Sequence, residues 1–290
     1  MTVQYETGSN ISMLAVTAIW GITFVAIKEL FAEISPGNII LFRLLTAGGL
    51  LSLVSLFAKG KVSLKDFFYL CLLGGIGVTL YQLLWIYALK YTSIVNASII
   101  LYSAPLFTTL FNTLLGRDNL KTDKLLAVLG GFIGIWIVII HGRPAFTDNT
   151  LKGDLLALTG AVIWSIYVLL SKPLLSRYAP LKVAAYSLVT GSVLLCPFVP
   201  FLFSGNEFVE LSLAGWLTLG FTVFFSIIIA FLLWYRGMSR VGPLRAVAYQ
   251  YLVPVFSTLF AVILLKEKLC VPQIAGGLIV CGSIALSRKL

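Results

Sequence analysis

Residues that could do acid–base or metal chemistry are scarce in this 290-residue sequence. The single histidine, His141, ends an apolar stretch, and no aspartate or glutamate falls in the middle of one. The four cysteines lie far apart and have no C-x-x-C spacing. Acid–base catalysis needs paired carboxylates or a histidine with a partner, and a zinc site needs several such ligands close together. We therefore expect no catalytic residues, no metal site and no cofactor.

Arg43 is the ionisable residue that falls inside an apolar stretch, within two turns of its start. A charge in lipid is costly and arginine keeps its proton, so this side chain must face water, an ionic partner or an anionic group of a substrate. Two roles stay open. Arg43 is either a substrate contact or gate, or a structural charge that pairs with Glu29 or Glu33. Since it lies near the start of its stretch, it could also reach the membrane interface by snorkelling.

Aromatic and amide side chains are the better candidates for a binding site. Tyr81 and Trp85 are four residues apart and would share a helix face. Tryptophans in the middle of a span are unusual, because aromatic belts lie at the membrane interfaces. Such rings hold an ammonium by cation–π contact and apolar groups by stacking, although ordinary helix packing is the alternative. The predicted substrate-binding residues are Trp20, Tyr81, Gln82, Trp85, Tyr102, Trp164, Tyr249, Gln250 and Tyr251.

Two prolines follow tyrosines of this set by three residues. Pro105 follows Tyr102, and Pro254 follows Tyr251. Proline removes a backbone donor and weakens a helix at that point. We therefore predict hinges at Pro105 and Pro254.

Membrane-spanning helices are the elements that must hold these residues. The sequence is 59% hydrophobic and 11% charged, whereas soluble domains average about 25% charged residues. Continuous apolar runs of about 20 residues fit helices rather than the alternating strands of a barrel. We predict an all-α membrane protein with ten transmembrane helices, at about 11–28, 38–58, 67–89, 94–115, 124–141, 154–171, 181–203, 212–235, 244–265 and 272–287.

The two halves of the chain repeat each other. Trp20, Lys28 and Pro36 recur with the same spacing as Trp164, Lys172 and Pro180, and residues 105–111 resemble residues 254–260. Each half holds five predicted helices, and an odd number makes the second copy enter the membrane upside down. Inverted repeats with a site between them are typical of transporters. We predict two inverted repeats, 1–145 and 146–290.

The net charge of +10 is best explained by membrane orientation. Basic residues stand singly or in small groups between apolar runs, without the clustered basic face that nucleic-acid binding needs. They concentrate on the side that carries both termini, which predicts cytoplasmic termini in a bacterial inner membrane. The basic residues on this side include Lys59, Lys61, Lys65, Arg117, Lys121, Lys172, Arg177, Arg236 and Arg245, whereas Lys28, Lys90, Arg143 and Lys152 lie on the other.

Several segments resemble one family of carriers. Residues 18–28 read AIWGITFVAIK, residues 41–45 read LFRLL, and residues 88–93, 102–107 and 264–269 follow in the expected order. Together they resemble the EamA-type branch of the drug/metabolite transporter superfamily over essentially the whole chain. The resemblance implies a ten-helix carrier that commonly exports amino acids or related metabolites.

Two positions depart from the pattern of that family. Asp118 stands where a glutamate is usual, and Ser187 stands at the counterpart of Arg43.

We expect export of an amino acid, aromatic ones included, or of a related compound by alternating access. Facilitated diffusion or exchange is favoured, since proton relays use buried carboxylates or histidine.

Other functions and partners remain open at this point. The alternatives are a carrier of a nucleotide-linked compound or vitamin and, in a different class, an intramembrane enzyme. The expected partners are a small-molecule substrate and the lipid bilayer, without nucleic acid. We expect a monomer rather than a homodimer, for which Gly130 and Gly134 would provide a packing face.

Overall fold

Apolar stretches become helices because a helix satisfies its own backbone hydrogen bonds where water is absent. The structure, a computed structural model, describes residues 2–56, 62–116, 122–141, 148–241 and 249–289. Asp118 and the basic residues Lys59, Lys61, Arg117, Lys121, Arg143 and Arg245 lie outside these ranges. All regular elements within the described ranges are helical, with no strand among them.

The first half of the chain contains α1 (Thr2–Leu30), α2 (Pro36–Leu56), α3 (Leu64–Leu73), α4 (Tyr81–Tyr91), α5 (Ile94–Leu101), α6 (Ala104–Leu114) and α7 (Thr122–His141). The second half contains α8 (Asp148–Leu175), α9 (Pro180–Leu195), α10 (Val199–Leu202), α11 (Glu207–Glu210), α12 (Leu213–Val223) and α13 (Ala230–Val241), followed by the helices Leu252–Leu265 and Val271–Lys289.

Length and composition separate these helices into two groups. Seven described spans are long and apolar enough to cross a membrane. They are Ile11–Leu30, Pro36–Leu53, Leu64–Tyr91, Ile94–Leu114, Asn149–Leu175, Leu181–Leu202 and Leu213–Trp234. Three apolar helices are shorter, namely Leu125–His141, Leu252–Leu265 and Val271–Ser283. The prediction of an all-helical chain is therefore confirmed for the described residues, and seven of the spans have the length and composition to cross a membrane.

Two helical spans contain a π-helical segment. Gly74–Leu80 connects α3 to α4, and Phe224–Ile229 connects α12 to α13. The two segments lie about as far apart in sequence as the similar residues 105–111 and 254–260, and the same repeat spacing pairs Trp85 with Trp234. A π turn disturbs the regular ladder of backbone hydrogen bonds and is frequent at functional sites.

A turn lies shortly before each of two prolines. Residues 102–103 are a turn between α5 and α6, and residues 250–251 are a turn before Leu252–Leu265. Proline is tolerated in the first turn of a helix because the N–H groups there have no partner within the helix. The breaks precede Pro105 and Pro254, the predicted hinge positions. Whether these positions move remains a prediction.

Glycines allow two helices to approach closely near the C-terminus. The Val271–Lys289 helix packs along α7, where a methyl group on Gly134 would overlap the carbonyl oxygen of Gly276. Gly130 likewise faces Ser283. Both glycines of the alternative dimer face are therefore used within the chain.

Candidate functional site

A pocket lies where α1, α2, α4 and the π-helical segments meet. Its empty space is about 780 Å³ including the open mouth, although the centre of a water molecule fits in only about 70 Å³ of it. The pocket is therefore narrow and suits a compact molecule. The residues that line it are Trp20, Thr23, Phe24, Arg43, Gly77, Val78, Tyr81, Gln82, Trp85, Leu101, Tyr102, Ala104, Pro105, Trp164, Leu188, Ser226, Ile227, Phe231 and Gln250.

Arg43 is buried in the wall of this pocket, with 2% of its surface exposed. One terminal nitrogen donates to Gln82 Oε1 at 3.3 Å and the other to Ser226 Oγ at 3.4 Å. The guanidinium carbon lies 5.2 Å from the ring centroid of Trp85. The Nε atom has no hydrogen-bond partner among the described residues. All of its contacts are therefore with neutral groups.

The ion pair considered for Arg43 is not observed among the described residues, although its bonds to Gln82 and Ser226 keep a structural role open. The Glu33 carboxylate accepts hydrogen bonds from Ser212 N at 2.8 Å and Ser212 Oγ at 2.9 Å, and Glu29 is exposed. Neither glutamate pairs with Arg43 in the described part of the chain. Its burial also excludes snorkelling in this conformation. Glu33 does not reach Arg43 because Ser212, the N-cap residue of α12, holds its carboxylate.

Gln82 fixes the geometry around the arginine. Its Oε1 atom accepts from Trp85 Nε1 at 2.5 Å as well as from Arg43. The two α4 residues are three positions apart, so they lie on one face of the helix just after the π-helical segment. This shared acceptor orients the indole ring and the guanidinium toward each other.

Three groups of aromatic rings form the rest of the wall. Trp20 lies 5.3 Å from Trp234 between ring centroids, and its Nε1 donates to the Ser226 carbonyl at 3.2 Å. That carbonyl belongs to a π-helical segment, where ladder bonds are displaced. Tyr81 and Trp164 are 4.8 Å apart. Phe24 lies between Trp85 and Tyr102, at 5.5 and 6.3 Å.

Most of the predicted residues meet at this pocket, and three do not. Seven of the nine predicted binding residues line it, together with Arg43 and Pro105. Tyr249 packs instead near Met13 and Trp234, and Tyr251 packs against the main core. Pro254 is buried away from the lining.

Several lining residues were not predicted. Thr23 and Phe24 follow Trp20 by three and four residues, and this helical spacing could have identified them. Ser226 falls on Gly77 at the repeat spacing that pairs Trp85 with Trp234. Ser226 is small and polar and its counterpart is a glycine, so its residue type did not mark it as a binding residue. Only its position in the repeat could have identified it.

Polar contacts join the two halves of the chain at one end of the helices. Thr92 Oγ1 donates to Asp154 Oδ1 at 2.6 Å, and Asp154 is fully buried. Gln273 Nε2 donates to Asn96 Oδ1 at 2.8 Å. Lys28 Nζ donates to the carbonyls of Leu89 and Thr92 at 2.7 and 2.8 Å. This cluster, called here the end network, links α1, α4 and α5 to α8 and the Val271–Lys289 helix.

Glu207 makes a second contact at the same end. Its carboxylate accepts from Ser35 N at 2.7 Å and from Asn38 Nδ2 at 2.8 Å. Burial alone would raise the pKa of Glu207, but these hydrogen bonds outweigh it and lower the pKa from its usual value. The charged carboxylate therefore anchors the start of α2 to α11.

Comparison with known proteins adds a family and several relatives. Residues 8–140 and 151–288 each match the EamA-like transporter family. An uncharacterized transporter of Archaeoglobus fulgidus is 30% identical over 282 residues, which are 95% of this chain and 96% of the relative. A probable terminal-alkyne amino-acid exporter of Streptantibioticus cattleyicolor is 24% identical and covers 93% of this chain and 90% of its own. One solved crystal structure, 22% identical, superposes with a TM-score of 0.64 over 97% of this chain and 96% of its own.

Proposed function

The chain belongs to the EamA-like transporter family, and on that premise we propose that it exports a small metabolite, an amino acid or a related compound, from the cytoplasm. The observation that carries the proposal is the narrow pocket with a buried arginine and aromatic walls. Ligand sites are typically concave and mostly apolar, with a few placed polar groups. The amino-acid class is supported by one relative that is described as a probable amino-acid exporter.

The membrane topology that goes with this function is ten helices in two inverted repeats, residues 1–145 and 146–290. In this arrangement the three shorter apolar helices cross the bilayer with the seven longer spans. Supporting features recur in both halves at equivalent places: a π-helical segment, a turn before a proline, and a tryptophan on the first helix of each half. The distribution of basic residues supports cytoplasmic termini in a bacterial inner membrane.

Transport would proceed by alternating access around the pocket. The end network joins residues from both halves, so opening that end requires these contacts to break. The turns before Pro105 and Pro254 are the proposed hinges, because backbone change there breaks few ladder bonds. Tyr249 and Tyr251 would then contact substrate in the other conformation. The carrier is proposed to act as a monomer.

Facilitated diffusion or exchange is the proposed mode of coupling. A proton-driven carrier usually places a carboxylate or histidine on its pathway. None lines the pocket among the residues that the structure describes. Asp154 is buried but lies in the end network.

Counterflow in proteoliposomes tests the proposal. Vesicles with purified protein are preloaded with one compound from a panel of amino acids, 2-oxo acids, vitamins and nucleotide-linked compounds, and uptake of the labelled form is measured. We expect accumulation for a small amino acid or related compound. Absence of counterflow for the whole panel, with the protein shown to be folded, contradicts the carrier function.

A variant of the histidine separates the carrier from an intramembrane enzyme. His141 ends α7, is exposed, and packs edge-on against Trp136 outside the pocket. His141→Ala should therefore leave counterflow unchanged. Loss of function in a folded His141→Ala protein would favour catalysis.

A further inference from the structure

The charge of the pocket lining is unbalanced. Among the described residues that line it, Arg43 is the only charged one, and the others are aromatic, aliphatic, small or neutral polar. An ion that is moved out of water loses its hydration, and neutral dipoles of the protein replace that stabilisation only in part. The pocket therefore carries one positive charge that its own walls leave uncompensated.

The arginine that lines this pocket is also incompletely bonded. Its two terminal nitrogens make long hydrogen bonds, at 3.3 and 3.4 Å, to the amide oxygen of Gln82 and the hydroxyl of Ser226. Its Nε has no partner in the described chain. A guanidinium binds a carboxylate through two parallel N–H donors, and such paired bonds are shorter and stronger than those to neutral acceptors. A carboxylate in the pocket would supply the anionic acceptor that the guanidinium lacks.

The same pocket offers few groups that could bind a second positive charge, such as an ammonium. The Trp85 ring that could hold an ammonium already faces Arg43, with 5.2 Å between guanidinium carbon and ring centroid. The ring of Tyr81 packs on Trp164 at 4.8 Å, which covers part of another π face. No carboxylate is present among the described lining residues to bind the ammonium. The ammonium of an amino acid would lie a few ångströms from Arg43, where like charges repel.

We propose that the pocket takes a small organic monocarboxylate without an ammonium group, such as a 2-oxo acid with an apolar side chain, in preference to the amino acid of the same shape. This inference rests on the proposed function and narrows its substrate class. The carboxylate binds Arg43, and the apolar body lies among the rings of Trp20, Phe24 and Tyr81. The occupied pocket is then neutral overall.

Binding of matched pairs tests the preference. Purified protein is titrated with pyruvate and alanine, 3-methyl-2-oxobutanoate and valine, and phenylpyruvate and phenylalanine, and affinities are measured by thermal shift and calorimetry. In the pair that fits the pocket, we expect the 2-oxo acid to bind at least tenfold more tightly. The proposal is overturned if the amino acid of that pair binds as tightly, or if no 2-oxo acid binds at all.

Variants assign the preference to the arginine. Arg43→Gln should bring the two affinities of a pair within threefold of each other, mostly by weakening the 2-oxo acid. Arg43→Lys keeps the charge and should keep the preference, and Arg236→Gln on the exposed face of α13 should behave as wild type. If Arg43→Gln keeps a tenfold preference, or does not fold while Arg43→Lys loses the preference, Arg43 does not select the substrate.

Counterflow of the same pairs separates this inference from the proposed function. If amino acids are transported and bind more tightly than 2-oxo acids, the proposed exporter function stands and the monocarboxylate preference is overturned. Tight binding of 2-oxo acids without counterflow of any compound keeps the preference and overturns the exporter.

Discussion

Replacing Arg43 by methionine should make the protein more stable while it removes ligand binding. The arginine is 2% exposed and bonds only to neutral groups. Moving a charged guanidinium from water into the interior of a protein costs several kcal/mol. Methionine fills a similar volume without that cost, so the free energy of unfolding should rise.

The size of the effect follows from the contacts that are lost. The two hydrogen bonds are longer than the usual range of about 2.7–3.2 Å, so each contributes about 1 kcal/mol. The contact with Trp85 adds about 2 kcal/mol when desolvated. Against these losses stand the desolvation cost and about 1.5–3 kcal/mol from burying methionine. We expect a net gain of about 1–3 kcal/mol and a melting temperature higher by at least about 2 °C.

Thermal unfolding of detergent-purified protein, followed by tryptophan fluorescence, measures this change. Arg177→Met is the matched control, since the Arg177 side chain is 60% exposed and pairs with Asp66 at 3.0 Å. An exposed ion pair contributes about 0–1 kcal/mol, so this control should not gain stability. A melting temperature of Arg43→Met that falls by several degrees would refute the reasoning and make Arg43 a structural residue.

Three further predictions concern pH, packing and motion. The pKa of Glu207 is lower in the folded protein than its ordinary value of 4.5, so the charged carboxylate stabilises the fold above that pH, and this stabilisation is lost as pH falls through the folded value. The melting temperature of Glu207→Gln should therefore depend less on acid pH than that of wild type. Identical pH profiles of the two proteins would contradict the role of the Glu207 hydrogen bonds. Gly276→Ala should lower the melting temperature because the added methyl group would overlap the Val138 side chain and the Gly134 backbone. Gly282→Ala is the control and should not lower it, because a methyl group there meets open space. Equal effects of the two substitutions would argue against close packing of the last helix on α7. Pro105→Ala should slow counterflow more than it weakens binding, and a proportional loss of both would exclude the hinge.

The helices could be predicted from the sequence because lipid imposes one solution on a long apolar stretch. The predicted span 67–89 corresponds to Leu64–Tyr91, and the predicted span 94–115 corresponds to Ile94–Leu114. The π-helical segments could not be predicted. Gly74–Leu80 is rich in glycine, and Gly77 lies where a methyl group would overlap the Tyr167 ring. Phe224–Ile229 contains no glycine and gives no comparable signal.

The site was predictable where residue type alone made a residue unusual. Trp20 and Trp164 stand in the middle of spans, and Arg43 is a charge in an apolar stretch, so each was identified from its position. The partners of Arg43 were not predictable. Helix α2 could be rotated to bring its arginine toward Glu33 or toward Gln82, and only tertiary packing decides between them.

Counterflow with wild-type, Arg43→Gln and Arg236→Gln proteins in parallel proteoliposomes is the most direct test that this pocket carries a transported substrate. We expect accumulation of a labelled small carboxylate by wild type and Arg236→Gln, and a loss of at least tenfold in Arg43→Gln. Equal accumulation by all three proteins, or none by wild type, would contradict it.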